Sequence, residues 1–234
     1  GASISPLLAS REEIKTVAHI VIGADRGLCG GYNYSIMRSG EGEVKAQKEL
    51  GRDYTLYCVG KKADSYFSYR DYKIAQSFTG FTERPTYADA IKIANVVTHA
   101  YLSGEVDEVH LIYTRFITSG SQEVVVRPLA PLDKDITIGG DARPEVSEKS
   151  TNSSYEFEPD PTTLLDHLLP RYVEARIYAA LLNASASELA ARQRAMKAAT
   201  DNAEELAQNL SRIANRLRQD AITTEIMEVV GGAE

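Results

Sequence analysis

The chain has 234 residues, enough for one domain with a sizeable core, and its 33 acidic and 26 basic side chains give a net charge of −7. No basic block exceeds Lys61-Lys62, so the composition argues against a protein that binds nucleic acid or an anionic membrane surface. No stretch approaches the roughly 18 apolar residues that a membrane-spanning helix needs.

The first half of the chain alternates β-rich segments with helical ones. Residues 1–16 are a leader, and residues 17–132 form the predicted domain. Strands are expected at Val17–Ile22, Tyr54–Val59, Tyr72–Phe78, Val106–Tyr113 and Glu123–Arg127, with helices up to about Leu50, over Lys61–Arg70 and from Thr86 to Gly104. This alternation predicts an α/β fold with a doubly wound, largely parallel Rossmann-like sheet and one antiparallel edge.

The helix between Thr86 and Gly104 has the clearest boundaries. Thr86 is the expected N-cap, Asp89 follows three residues later as in a capping box, and Gly104 is the expected terminator.

The composition changes after the domain. Residues 133–154 are rich in polar residues and glycine, so we predict a mobile loop, followed by a short strand or turn at 155–160. Asp160 and Pro161 suit the N-cap and the first turn of a helix. We expect that helix over 161–230, before a tail at 231–234.

The most informative feature is a run of sixty residues, Arg171–Val230, that contains no glycine or proline and has fourteen alanines. As one helix it would be about 90 Å long at about 1.5 Å per residue. A domain of the preceding 160 residues is only about 40 Å across. The helix must therefore project beyond its domain, which favours assembly or mechanics over catalysis.

An apolar seam within this run has the spacing of a left-handed coiled coil. It steps by three and four residues through Met196, Ala199, Ala203, Leu206, Leu210, Ile213 and Leu217. Backwards the same frame passes through Leu189, Ser185, Leu182, Tyr178 and Ala175 but is broken by Arg192. After Leu217 the apolar stripe moves to a new face, at Ile222, Ile226 and Val229, which suggests a change of neighbour.

The candidate for chemistry is the Gly-rich turn Gly23–Gly31, which lies where dinucleotide folds bind phosphate. Its spacing is neither G-x-G-x-x-G nor a Walker A loop, so a structural turn is favoured. A Rossmann-type nucleotide-binding enzyme with a coiled-coil oligomerisation arm stays open as the alternative. Cys29 could be a reactive thiol, although a buried side chain is the simpler interpretation.

Neither metal ions nor cofactors are expected. The histidines stand singly, at His19, His99, His110 and His167, without the spacing of a zinc motif. Cys29 and Cys58 have no zinc-like spacing either.

Several segments together resemble the gamma subunits of F-type ATP synthases. The sequence reads GADRGLCGGYN at 23–33, LLPRY at 168–172, SELAAR at 187–192, MKAATDN at 196–202 and ITTEI at 222–226. The resemblance covers about residues 17–232. It implies a central rotor shaft without catalytic residues or cofactors, whose partners are the alpha and beta ATPase subunits, the epsilon subunit and the membrane rotor ring. It also implies a peripheral position at the cytoplasmic face of the membrane.

The resemblance further implies contact residues. Arg218, Gln219 and Thr223 match a segment that engages a loop of the beta subunits, although Asp220 stands where alanine is usual. Beta-subunit contacts are likewise expected at Arg192, Ile222 and Ile226. Tyr155 and Glu158 are expected at the foot, close to epsilon and the membrane ring.

One departure from the family concerns the beginning of the chain. Family members start with a long basic helix that forms the second strand of the coil, whereas this sequence starts Gly1-Ala2-Ser3 and nothing before Val17 could supply it. We therefore expect a fragment whose C-terminal helix self-associates with a second copy.

Overall fold

The computed structural model describes Leu7, Arg11 and residues 13–132 and 161–232, and for 161–166 only the backbone. Within these residues the chain forms five strands and four helices. They are β1 (Thr16–Ile22), α1 (Tyr32–Glu49), β2 (Asp53–Val59), α2 (Lys61–Tyr69), β3 (Ile74–Phe78), α3 (Tyr87–Ser103), β4 (Glu108–Phe116), β5 (Gln122–Ala130) and α4 (Pro161–Gly231). The predicted loop at 133–154 and the strand or turn at 155–160 lie outside the described residues.

The five strands form one sheet in the order β3-β2-β1-β4-β5. Neighbouring strands are parallel from β3 to β4, and only the edge strand β5 is antiparallel to its neighbour. The predicted α/β sheet with one antiparallel edge is therefore confirmed.

Three strands have boundaries that differ from the prediction by two residues or more. β3 begins at Ile74, because the N–H of Tyr72 donates to the carbonyl of Phe67 at 3.0 Å and closes a turn after α2. β4 and β5 are longer than the apolar pattern indicates, because polar side chains continue the hairpin. Arg115 faces Glu123 across it, with 3.0 Å between Nη2 and Oε2.

Both faces of the sheet are covered, as a parallel sheet requires. The β1 side chains Ala18, Ile20 and Ile22 share one core with α3 and the first half of α4. Val21 of the same strand points into the other core, under α1 and α2.

The boundaries of α3 follow the predicted signals. The Thr86 side chain accepts from the Asp89 N–H, and the Asp89 carboxylate accepts from the Thr86 N–H at 3.1 Å. Gly104 adopts the left-handed conformation at the C-cap, with φ of 83°. The capping box and the glycine terminator are therefore confirmed.

α4 is one long helix with two different halves. Its first half packs on α3 and the sheet, whereas every described residue from Met196 to Gly232 is exposed. At about 1.5 Å per residue, that exposed part is about 55 Å long. No helix of the described residues is both long and apolar enough to cross a membrane.

Candidate functional site

The first half of α4 is anchored by an apolar stripe. Leu169, Val173, Ile177, Leu181 and Ala184 follow one another at intervals of three or four residues and are all buried in the core with α3. Burying a Leu, Ile or Val side chain is worth roughly 1.5–3 kcal/mol. This stripe holds the helix against the domain along about four turns.

The coiled-coil seam lies on another face of the same helix. Leu182 and Leu189, through which the seam was traced backwards, are 44% and 50% exposed. With Met196, Ala203, Leu210 and Leu217 they form a single row at seven-residue intervals, all of it outside the domain core. The seam therefore starts beside the domain and continues to the projecting part, where a second helix could lie along it.

Polar contacts fix the rotation of α4 about its own axis. The Tyr32 hydroxyl donates to the carbonyl of Ala184 at 3.1 Å, and the Ser187 hydroxyl donates to that of Thr114 at 3.2 Å. Asn183 accepts from the Phe116 N–H at 3.1 Å, and Arg194 donates to Ser119 and Gln122 in the β4–β5 hairpin. Sequence patterns do not identify these residues, because their partners are 67 to 152 positions away.

α4 crosses the end of the sheet over the Gly-rich turn Gly23–Gly31. Arg192 donates to the carbonyl of Gly27 at 3.4 Å. Gly30 has φ of +58°, and a Cβ built there would lie 3.9 Å from that of Ala195. The helix therefore lies over the turn in the place that a cofactor occupies in a dinucleotide fold.

Hydrogen bonds within the domain hold the turn. The N–H of Ala24 donates to Asn33 Oδ1 at 2.9 Å. The Asp25 carboxylate accepts from the backbone N–H groups of Lys61, Gly80 and Thr82 at 2.8–3.1 Å. Burial acts to raise the pKa of Asp25, but these hydrogen bonds outweigh it and hold the pKa below its ordinary value. The resulting negative charge disfavours a bound phosphate, so this geometry supports the structural turn.

An ion pair within α4 holds Arg192 beside this turn. The Glu188 side chain is only 1% exposed, and its Oε1 lies 2.6 Å from Nη2 of Arg192, one turn further along. Nη1 of Arg192 also lies 3.4 Å from Glu83. Burial raises the pKa of Glu188, and Arg192 offsets this only in part. The guanidinium of Arg192 thus compensates buried charge inside the chain itself.

The cysteines do not have the surroundings of reactive thiols. Burial and the nearby Glu188 raise the pKa of Cys29, and burial raises that of Cys58 to about 12. A reactive Cys29 is therefore not supported, because the thiolate is the nucleophile.

The predicted contact residues fall into three places. Arg218, Gln219, Ile222, Thr223 and Ile226 lie on consecutive turns of the projecting helix and are all exposed. The Thr223 hydroxyl donates to the carbonyl of Gln219 at 2.9 Å. Arg192 lies apart from them, about 39 Å along the helix from Arg218 at about 1.5 Å per residue. Tyr155 and Glu158 lie outside the described residues.

The chain was compared with known proteins. The family model described as ATP synthase matches residues 2–234. ATP synthase gamma chains of Mycolicibacterium vanbaalenii and Mycolicibacterium smegmatis are both 45% identical over 97% of this chain, which corresponds to 77% and 76% of their own lengths.

Solved structures agree with these relatives. The chain is similar to one in the central stalk and c-ring structure of the Tetrahymena thermophila mitochondrial ATP synthase, at 26% identity and a TM-score of 0.60, covering 82% of this chain and 79% of that one. A chain of the Euglena gracilis mitochondrial ATP synthase rotor has a TM-score of 0.60 at 16% identity, covering 93% of this chain and 81% of that one, and supports the fold.

Proposed function

We propose that the parts of this chain, which belongs to the ATP synthase gamma-chain family, have separate roles in a rotor. Members of this family are non-catalytic subunits that transmit torque between the membrane ring and the catalytic ring and so couple proton flow to ATP synthesis. The α/β domain is the foot of the rotor, and the exposed half of α4 is its shaft.

The observation that carries this division is the contrast between the two halves of α4. The first half is fixed by a buried stripe, by hydrogen bonds from Tyr32 and Ser187, and by the contacts of Arg192 with Gly27 and Glu83. The second half has no buried residue from Met196 to Gly232. A torque applied to the foot is transmitted only if the helix cannot turn or slide within it, and these contacts oppose both motions.

The tip of the shaft supplies the contacts with the catalytic ring of alpha and beta subunits. Arg218, Gln219 and Thr223 engage a beta-subunit loop, while Ile222 and Ile226 provide an apolar bearing surface. Their exposure on consecutive helical turns supports this role. As the rotor turns, its asymmetric surface would favour different states of each beta subunit in succession.

Arg192 acts differently from the tip residues in this proposal. Its guanidinium already holds Glu188 and Glu83, so it contributes to coupling mainly by keeping the shaft fixed to the foot, and it meets a beta subunit only with its exposed edge. For Tyr155 and Glu158, which lie outside the described residues, the family resemblance supports contacts with the epsilon subunit and the membrane ring. The chain would then work as a peripheral subunit at the cytoplasmic face of the membrane.

The exposed seam requires a partner helix. Leu206, Leu210, Ile213 and Leu217 are each more than half exposed. Their burial is worth roughly 1.5–3 kcal/mol per side chain. Without another helix on this seam, we expect two copies of the chain to associate through it.

The proposal is tested by assembly of the chain with alpha and beta ATPase subunits. The whole chain should co-purify with both, whereas a variant that stops after Ala195 should keep its fold and fail to join them. The truncated variant retains all buried residues of α4, the last of which is Ala190. If it joined the complex as well as the whole chain does, the proposal that the exposed half is the shaft would be refuted.

A further inference from the structure

Two histidines that are far apart in the sequence meet on the face of the sheet that α1 covers. His19 of β1 and His110 of β4 are direct partners in the parallel ladder, and their ring centroids are 5.5 Å apart at an interplanar angle of 65°. Glu43 of α1 lies over them. One ligand atom from each of these three side chains lies within 4.8 Å of the other two.

These imidazoles lack the hydrogen bonds that buried polar groups normally make. His19 is completely buried, and neither of its ring nitrogens has a hydrogen-bond partner. Nδ1 of His110 is also buried without a partner. An imidazole always has a donor or an acceptor on each nitrogen, and leaving such a group unpaired in the interior destabilises the fold. Three such atoms at one place indicate a missing ligand.

We propose that His19, His110 and Glu43 form a binding site for a divalent transition-metal ion of the zinc class. Two imidazoles and a carboxylate are a ligand set that zinc accepts, with a water in the fourth position. The site joins α1 to β1 and β4. The bound ion would therefore stabilise the packing of α1 on the sheet, on the face opposite to α3 and the first half of α4.

The distances allow the site to close around an ion. Three atoms no more than 4.8 Å apart have a common point within about 2.8 Å, since 4.8 Å divided by the square root of three is about 2.8 Å. Zinc–nitrogen and zinc–oxygen bonds are about 2.0–2.2 Å long. Each ligand atom therefore has to move by less than about 1 Å. Glu43 can do so because it is only partly buried and its side chain has several rotatable bonds.

The surroundings assign a nitrogen of His110 to the ion. Its Nε2 lies 3.6 Å from Oε2 of Glu108, which leaves the unpartnered Nδ1 for the metal. Metal-binding histidines commonly direct their second N–H to a carboxylate, which fixes the tautomer and the orientation of the ring. His110 and Glu43 also open the site to solvent, since the His110 side chain is 19% exposed.

The charge state of His19 is compatible with metal binding. Burial and the neighbouring His110 lower the pKa of His19 to about 4, so its ring is neutral at physiological pH and offers a lone pair. Glu43 and Glu108 place two carboxylates beside the two imidazoles. This proposal departs from the expectation that the chain binds no metal, which rested on histidine spacing along the sequence.

The proposal is tested by titrating the whole chain, first stripped with a chelator, with Zn²⁺ in a calorimeter and by measuring its thermal unfolding with and without the ion. We expect one ion per chain and a higher Tm with zinc. Glu43→Gln and His110→Gln should each weaken zinc binding by about tenfold or more and abolish the Tm increase. Glu49→Gln, on the same helix, and His99→Gln, at an exposed position, should bind as the unchanged chain does.

Circular dichroism shows whether each variant is folded, and Glu43→Gln, at a partly exposed position, tests the site even if His110→Gln unfolds. Co²⁺ should give the visible bands of a four-coordinate site without a thiolate charge-transfer band. Failure to bind zinc, or equal binding by the unchanged chain and Glu43→Gln, would overturn the proposal, and His19 and His110 would then be only a packed aromatic pair. Because the site is separate from the shaft, neither result affects the rotor function.

Discussion

At the scale of single residues, the ion pair between Glu188 and Arg192 compensates a charge that α4 buries. Glu188 is almost fully buried, and Arg192 is the cation nearest to it, at 2.6 Å. Removing one partner of a buried pair leaves the other charge uncompensated, which typically costs about 3–5 kcal/mol.

We therefore predict that Arg192→Ala lowers the free energy of unfolding by about 3 kcal/mol, the lower end of that range, because Arg192 is itself partly exposed. Chemical denaturation measures the change. Arg212→Ala, at an exposed position on the shaft, is the matched control and should change stability by less than about 0.5 kcal/mol. Equal stabilities of the two variants would mean that Glu188 does not depend on Arg192.

Asp25 predicts a dependence of stability on pH. Its folded pKa lies below its unfolded value because three backbone N–H groups donate to the carboxylate. The stabilisation is therefore fully present above the unfolded pKa of about 3.9 and is lost as the pH falls through the folded pKa.

We expect Asp25→Asn to be less stable than the unchanged chain by roughly 1–2 kcal/mol at pH 7, since Asp25 is only partly buried. The difference should shrink below about pH 4. Urea unfolding between pH 7 and pH 3 measures it, with Asp201→Asn on the exposed helix as the control. A difference that stays constant down to pH 3 would exclude this role of the carboxylate.

At the scale of elements, α4 has one face that packs on its own domain and another that is exposed. At the tip the polar residues Gln219 and Thr223 are exposed, and their side chains make no contact that the fold needs. Substitutions at such positions usually change stability by less than about 0.5 kcal/mol. Effects of these residues on function can therefore be separated from effects on folding.

We predict that Gln219→Ala with Thr223→Ala weakens coupling and leaves the fold intact. The measurement is ATP hydrolysis together with ATP-driven proton pumping by the reconstituted complex, in which pumping per ATP should fall. Thr200→Ala with Gln208→Ala is the matched control, since the Thr200 hydroxyl donates to Met196 just as that of Thr223 donates to Gln219. Unchanged pumping by the Gln219 and Thr223 variant would remove these residues from the contact with the beta subunits.

The seam predicts self-association of the isolated chain. Leu210 and Leu217 lie in the exposed apolar row, so Leu210→Glu with Leu217→Glu should shift the chain to a monomer in light scattering. Gln208→Glu with Asn215→Glu adds the same charge on the opposite side of the helix and should leave association unchanged. If the unchanged chain is already a monomer with full helix content, the seam does not pair in this way.

At the scale of the whole molecule, local signals in the sequence predict most of the architecture. The signals are the nearly continuous apolar character of Val17–Ile22, the Thr86–Asp89 capping box and the absence of helix breakers in Arg171–Val230. Each lies within one element, and the structure contains the elements that they predict. The exposure of Leu206 to Leu217 follows from the length of that helix compared with the size of the domain.

Contacts between distant segments were not predictable in this way. His19 and His110 become neighbours only through the strand register, although they are 91 positions apart. In the sequence, Glu188 has the pattern of an ordinary polar helix residue. Its burial beside Arg192 becomes visible only in the structure, where the helix lies across the Gly-rich turn. The backward continuation of the seam did not show which of its residues the domain would cover: Leu182 and Leu189 are exposed, whereas Ser185 of the same frame is buried and donates to the carbonyl of Glu83.

The central claim is that the foot and the shaft turn as one body. It is tested most directly by fixing the alpha and beta subunits of a reconstituted complex to a surface and following a bead attached to the foot domain while ATP is hydrolysed. We predict that the bead rotates in steps in one direction. Arg192→Ala should lower the largest torque that the rotor sustains before rotation stalls. Continued ATP hydrolysis with a stationary bead, in a complex shown to contain the whole chain, would contradict it.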